Sequence, residues 1–89
     1  MTVLPQINDR PAPSGQPSAR RLRIEARRRR GAAIRTQRIR LKLTQVKLAL
    51  AVGCLSSQIS KVEHGRAGVG APLVARMEAM LDTIEASRA

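Results

Sequence analysis

The sequence predicts a small all-α protein, a bundle of four or five helices preceded by a disordered N-terminal tail. Three observations predict this class. Apolar residues recur at helical spacing from Ile34 to Ile84. Helix-breaking segments interrupt that pattern at residues 42–44, 53 and 65–70. No segment of useful length alternates apolar and polar residues, as a half-exposed strand would.

Four helices are expected between these breaks, over residues 32–41, 45–52, 56–63 and 72–86. The 89 residues include no Phe, Trp or Tyr, so the core must be built from aliphatic residues and Met. Such a core in so short a domain is marginally stable, and a bound partner would help to hold it folded. The candidate core residues are Ile34, Leu41, Leu43, Leu48, Ala49, Val52, Ile59, Val62, Leu73, Met77, Met80, Leu81 and Ile84.

Three regions differ in composition. Residues 1–19 are rich in Pro and poor in apolar side chains, and we expect a disordered tail there. Residues 20–31 form an Arg-rich arm or helical extension, in which like charges four positions apart repel each other. Gly31 either ends this arm or is absorbed into a longer helix. Residues 32–87 carry the regular apolar pattern and form the predicted domain.

The charge of the chain limits its function. Lys and Arg number 17 against 6 Asp and Glu, a formal charge of +11, which attracts phosphate polymers or anionic lipid. The lack of aromatic residues argues against single-strand binding by base stacking. No apolar run reaches the length of a membrane span, and the first residues do not resemble a secretory signal. We therefore expect a cytoplasmic, nucleoid-associated protein, with an organelle transit peptide as the alternative for the Arg-rich start.

Residues 45–64 have the pattern of two short helices that cross steeply through a tight turn. The crossing requires one small side chain, which Ala49 supplies, and the turn requires a residue that tolerates positive φ, which Gly53 supplies. Thr44 can cap the first of the two helices. The remaining inward positions are apolar: Leu48, Val52, Cys54, Ile59 and Val62. This pattern predicts a helix-turn-helix.

Residues 33–81, about half of the chain, resemble the Cro and phage-repressor family of helix-turn-helix proteins, also called Xre-type. The matching segments are IRTQRIRLKLTQVKLALAVG and SSQISKVEHGR. The resemblance implies a homodimer that binds double-stranded DNA sequence-specifically and regulates transcription, as repressors do, by occupying an operator.

The resemblance also implies roles for individual residues. An ion pair is expected between Arg38 and Glu63. The recognition helix would read bases through Ser56, Ser57, Gln58 and Lys61. Phosphate contacts are implied for Gln45, Ser60, His64 and Arg66. For the arginine run Arg27, Arg28, Arg29 and Arg30, we expect contacts to phosphates or the minor groove, with passive solvation, a nuclear-import-like cluster and RNA binding as alternatives.

Some positions depart from the family pattern. Leu55 stands where a capping Ser or Thr is usual, so the cap could shift to Ser56 and move the start of the recognition helix. Val46 and Leu50 replace polar residues on an outer face, either as ordinary exposed aliphatics or as a small partner surface. The segment DTIEASRA is all that remains for a fifth helix, which leaves the dimer geometry open.

Other functions are weaker interpretations. Ser56 and Ser57 lack His and acidic partners, so no enzyme activity is expected, and neither a cofactor nor a small-molecule effector is evident. His64 stands alone, which does not favour a metal site, and Cys54 is expected in the core rather than as a redox sensor. Two alternatives stay open: an RNA-binding basic protein using residues 20–42, and an antitoxin-like accessory subunit that docks on another protein.

Overall fold

The computed structural model describes residues 18–89, which contain four helices and no strand. The helices are α1 (Ala19–Arg40), α2 (Gln45–Val52), α3 (Ser56–Glu63) and α4 (Ala71–Ser87). The all-α prediction is therefore confirmed for this part of the chain. The predicted disorder of the tail concerns residues that, up to residue 17, lie outside the described range.

Helix α1 begins much earlier than the periodicity predicted, at Ala19 instead of residue 32. The Ser18 hydroxyl caps it by accepting a hydrogen bond from the backbone N–H of Arg21 at 3.1 Å. Gly31 does not end the helix but is buried within it. The Arg-rich segment is thus the first half of a continuous helix, because Arg, Leu, Ala and Glu favour helix strongly enough to continue it through one glycine.

Gly31 permits a close approach between α1 and α3. A Cβ atom at this position would lie 2.0 Å from the carbonyl oxygen of Val62, so only glycine fits without a shift of backbone. Helices α2 and α4 pack on the same core. Its buried apolar members are Ile34, Leu41, Leu48, Ala49, Val52, Ile59, Val62, Met77 and Leu81. The remaining predicted core residues, Leu43, Leu73, Met80 and Ile84, are partly buried against this cluster.

An arginine of α4 and the arginine that follows it satisfy carbonyl groups at the ends of other helices. Arg76 donates to the carbonyl oxygen of Val52 at 2.9 Å, and Arg88 donates to that of Leu41. Residues 82–87 continue α4, so the segment considered for a fifth helix forms no separate element. These two bonds tie α4 and its C-terminal end to the ends of α2 and α1.

Candidate nucleic-acid interface

Helices α2 and α3 form the expected helix-turn-helix unit. Three residues, 53–55, separate the last residue of α2 from the first of α3. Gly53 adopts a left-handed conformation with φ of 85°, and its N–H bonds to the carbonyl oxygen of Ala49. Thr44 caps α2 by accepting from the N–H of Lys47 at 3.0 Å. The glycine and the cap thus act as the sequence predicted.

Helix α3 has one buried and one accessible face. Ile59 and Val62 lie in the core, whereas Ser57 and Lys61 are exposed. Because residues four apart are neighbours on a helix surface, Ser57 and Lys61 project from the same face. The other predicted reading and contact residues of α3 are half-buried: Ser56, Gln58 and Ser60. The face that carries Ser57 and Lys61 is therefore accessible at the surface.

The start of α3 does not shift to compensate for Leu55. The helix begins at Ser56, and Leu55 occupies the cap position without a side-chain hydrogen bond. Instead, the Oε1 atom of Gln58 accepts the backbone N–H of Leu55 at 2.9 Å, which is one half of a capping box. The transfer of the cap to Ser56, which the sequence left open, does not occur. Gln58 gives its carbonyl oxygen to this bond and keeps its amide N–H groups for a partner.

A buried ionic cluster ties α3 to α1 and α2. Arg38 donates from Nε to Glu63 Oε2 at 2.5 Å and from Nη2 to Glu63 Oε1 at 3.0 Å. Their side chains are only 10% and 1% exposed. Gln45 donates to Glu63 Oε1 at 3.1 Å, and Arg38 also donates to the carbonyl oxygen of Leu43. The ion pair expected between Arg38 and Glu63 is present, and Gln45 completes it by bracing the carboxylate.

A polar groove opens beside this cluster, between α1, the start of α2 and the end of α3. It has a volume of about 440 Å³, and its lining residues are Ala32, Arg35, Thr36, Arg38, Gln45, Glu63 and His64. The Nδ1 atom of His64 lies 2.8 Å from the Ser60 carbonyl oxygen, which can only accept, so a bond here places the proton on Nδ1. Because Arg38 neutralises Glu63, Arg35 gives the groove a net positive charge.

Arg35 and Thr36 were not singled out from the sequence, which placed phosphate contacts in the Arg27–Arg30 run, in α2 and α3, and at His64 and Arg66 after α3. For Arg35, a signal was nevertheless present in the sequence. Arg35 precedes Arg38 by three positions and so lies about one helical turn before it. Arg66, another predicted phosphate contact, is exposed just after α3, two residues beyond the groove residue His64.

The four arginines of the Arg27–Arg30 run have different surroundings. Arg30 forms two hydrogen bonds to Glu78 of α4, at 2.7 and 2.6 Å. These bonds lower the pKa of the Glu78 carboxyl and raise that of the Arg30 guanidinium. Arg27 donates to the carbonyl oxygen of Gly65 at 3.4 Å. Arg28 and Arg29 are exposed, and no ion pair of the described residues includes them.

Other chemistry finds little support in residues 18–89. Cys54 is half-buried against the core, and burial raises the pKa of its thiol, although Arg76 acts in the opposite direction. Within that range, no three His, Cys, Asp or Glu side chains are grouped to hold a metal ion. None of the helices described there combines the length and apolar character needed to cross a bilayer.

Comparison with known proteins found no match among protein-family models, curated proteins or solved structures. By its fold and its site, the described part of the chain is an all-helical protein with a helix-turn-helix unit and a cationic groove.

Proposed function

We propose that this protein is a transcriptional regulator that binds double-stranded DNA sequence-specifically and acts by occupying an operator. One observation carries the proposal. Helix α3 exposes Ser57 and Lys61 beside a cationic groove, while the buried Arg38–Glu63 pair fixes its orientation. A helix of this size fits the major groove of a duplex, where polar and cationic side chains reach base edges.

Bases would be read by the accessible face of α3. Lys61 can donate to the O6 and N7 atoms of guanine, whereas the hydroxyls of Ser56 and Ser57 accept and donate and so discriminate less. The free amide N–H groups of Gln58 can add a further contact. Lys61 is thus the residue on which most of the base preference should depend.

Phosphates would be held around the groove and at the start of α2. Thr44 caps the N–H of Lys47, which leaves the N–H groups of Gln45 and Val46 at the helix terminus for an anion. Gln45 holds Glu63 with its side chain, so it can meet a phosphate through the backbone or the second amide hydrogen. Ser60, His64 and Arg66 are proposed as further phosphate contacts. These contacts position the protein without reading sequence.

Composition supports a duplex as the partner. A formal charge of +11 favours phosphate polymers, and the absence of aromatic residues disfavours stacking on unpaired bases.

We propose a homodimer, as the family resemblance implies, reading two half-sites roughly one helical turn apart. Binding to the chromosome would place the protein at the nucleoid in the cytoplasm. Sedimentation of the protein alone and with a bound DNA duplex measures whether it is a dimer.

The test is a selection of bound sequences from a random pool of DNA duplexes. We expect one preferred site, bound at least about 10³-fold more tightly than mixed sequence. Recovery of no preferred sequence would contradict the proposal. Equal affinity for mixed-sequence duplex RNA and DNA would favour RNA binding instead. A protein that copurifies at fixed stoichiometry and blocks DNA binding would favour the accessory-subunit alternative.

The reading residue can be tested by substitution. Lys61→Ala should lower affinity for the selected site by about 1–3 kcal/mol and relax the base preference at one position. Lys47→Ala is a matched control, because Lys47 is also exposed and its removal changes the charge equally. The control should weaken all sequences by one factor. If Lys61→Ala also weakens selected and mixed duplexes equally, Lys61 contacts phosphate. Melting curves must first show that both variants fold.

A further inference from the structure

Three exposed arginines of α1, Arg21, Arg28 and Arg35, are spaced seven residues apart. Seven residues are almost two turns of an α-helix, so side chains at this spacing drift by only about 20° per step. They therefore form one row along the helix, with a rise of about 10.5 Å per step. We call this row the arginine stripe.

Contacts with other elements place the stripe beside the helix-turn-helix. Arg28 packs closely on Gly65, the second residue after α3, where a Cβ atom would lie 2.7 Å from Arg28 Cγ and 2.9 Å from Arg28 Cα. Arg35 lines the groove together with Gln45 and His64. The stripe therefore runs from the free end of α1, past the end of α3, into the groove proposed to hold phosphates.

The stripe keeps its positive charge. No ion pair of the described residues includes any of its three arginines. Three other α1 arginines are neutralised, because Arg30 pairs with Glu78, Arg38 with Glu63 and Arg40 with Glu85. The remaining α1 arginines also form no ion pair among the described residues, and the stripe differs from them in forming a row that reaches the groove. The nearest acid in sequence is the exposed Glu25, which lies on α1 between Arg21 and Arg28. Three arginines against one carboxylate leave this face cationic.

The stripe is also held rigidly relative to α3. The close approach of Gly31 to the Val62 carbonyl group and the buried Arg38–Glu63 pair join the two helices at two levels. Arginines on a fixed helix lose less conformational freedom on binding than those on a flexible arm. Because α1 and α3 are joined in this way, a partner bound to α3 lies at a fixed distance from the stripe.

We propose that the arginine stripe is a phosphate track that binds the sugar-phosphate backbone of the duplex beyond the segment read by α3. The proposal rests on the proposed function. Guanidinium groups donate paired hydrogen bonds to phosphate oxygens, and such contacts carry no base preference. Phosphates follow each other more closely along one strand, every 3.4 Å or so of helix axis, than the arginines do along α1. Each guanidinium can thus meet its own phosphate.

The test compares two triple variants with the same change in charge. The stripe variant carries Arg21→Gln, Arg28→Gln and Arg35→Gln, and it keeps the Cγ atom that packs on Gly65. The control carries Arg20→Gln, Arg23→Gln and Arg29→Gln, exposed positions that lie about 80–140° around α1 from the stripe. A phosphate contact of Arg29, expected from the sequence, is not part of this proposal, because Arg29 lies on a different face of α1 from Arg28. Glutamine is a good helix former, so both variants should retain α1, which circular dichroism and melting curves check.

Affinity for a mixed-sequence duplex of about 30 base pairs is measured between roughly 50 and 200 mM salt. The stripe variant should lose about 2.7 from the slope of log affinity against log salt, about 0.9 for each phosphate contact, while the control loses less than about 1. Base preference in the selection should be unchanged in both.

Equal losses of slope in the two variants, or no loss in either, would overturn the phosphate track but leave the proposed function standing. A wild-type protein that binds no DNA duplex would overturn both. If the stripe variant lost base preference while retaining its salt slope, the stripe would be part of the reading surface and the track would be wrong.

Discussion

Two sets of arginines on α1 have opposite environments, although they share one helix and one residue type. The paired arginines form ion pairs with α3 and α4: Arg30 with Glu78, Arg38 with Glu63 and Arg40 with Glu85. The stripe arginines, Arg21, Arg28 and Arg35, form none among the described residues. The difference shows that the number of arginines does not measure a phosphate-binding surface. What matters is which of them lack a carboxylate and also lie in the row that reaches the groove.

The paired arginines also differ among themselves in burial. The Arg38–Glu63 pair is nearly inaccessible, whereas the side chains of Arg30 and Glu78 are 46% and 36% exposed. Water and salt screen an exposed pair, so it contributes little to stability. A buried pair is costly to break, because the remaining charge has no partner. Substitutions in the paired set should therefore change the stability of the fold, strongly at the buried pair and weakly at the exposed pair. Substitutions in the stripe should change the affinity for DNA.

The largest expected effect comes from the buried pair. Glu63→Gln keeps the shape of the side chain but leaves Arg38 without its countercharge, and it should destabilise the protein by about 3–5 kcal/mol. Loss of that size could unfold so small a domain, which urea or thermal unfolding would show. Glu78→Gln makes the same chemical change at an exposed pair and is the control. Equal melting temperatures for the two variants would break the distinction between buried and exposed pairs.

A smaller loss of stability is expected from a substitution where α1 crosses α3. This contact positions α1, which carries both sets of arginines, relative to α3. Gly31→Ala should destabilise the protein by about 1–3 kcal/mol, because the new Cβ meets the Val62 carbonyl oxygen. Helix propensity alone predicts the opposite sign, a gain of about 1 kcal/mol. Ala32→Gly, at the exposed neighbouring position, controls for propensity and should lose about that amount. A stabilised Gly31→Ala variant would mean that the crossing is loose.

The smallest effect concerns the exposed Arg30–Glu78 pair and pH. The pKa of Glu78 is lowered in the folded protein by hydrogen bonds from Arg30. Its contribution is therefore present above the unfolded pKa of about 4.3 and is lost as the pH falls through the lower folded pKa. The difference in stability between wild type and Glu78→Gln should be within about 1 kcal/mol at pH 7 and should shrink below pH 4 or so. A difference that grows on acidification would contradict this sign.

Much of the fold could be predicted from local sequence signals. The spacing of Leu48, Ile59 and Met77 on their helices, the cap at Thr44 and the positive φ at Gly53 depend on residues only a few positions apart. The bounds of α2 and α3 followed from these signals. The start of α1 did not, because the apolar pattern begins at Ile34 and the exposed half of the helix carries no such pattern.

By itself the sequence determined the helical class, the helix-turn-helix, the aliphatic core and the excess of positive charge. Only the tertiary structure decided which arginines are neutralised, because each pairs with a carboxylate 25 to 48 positions away in the chain. It also decided that Arg35 lines the groove and that Gly31 lies at a helix crossing. Each of these depends on how the helices are placed relative to one another, and helix periodicity does not contain that information.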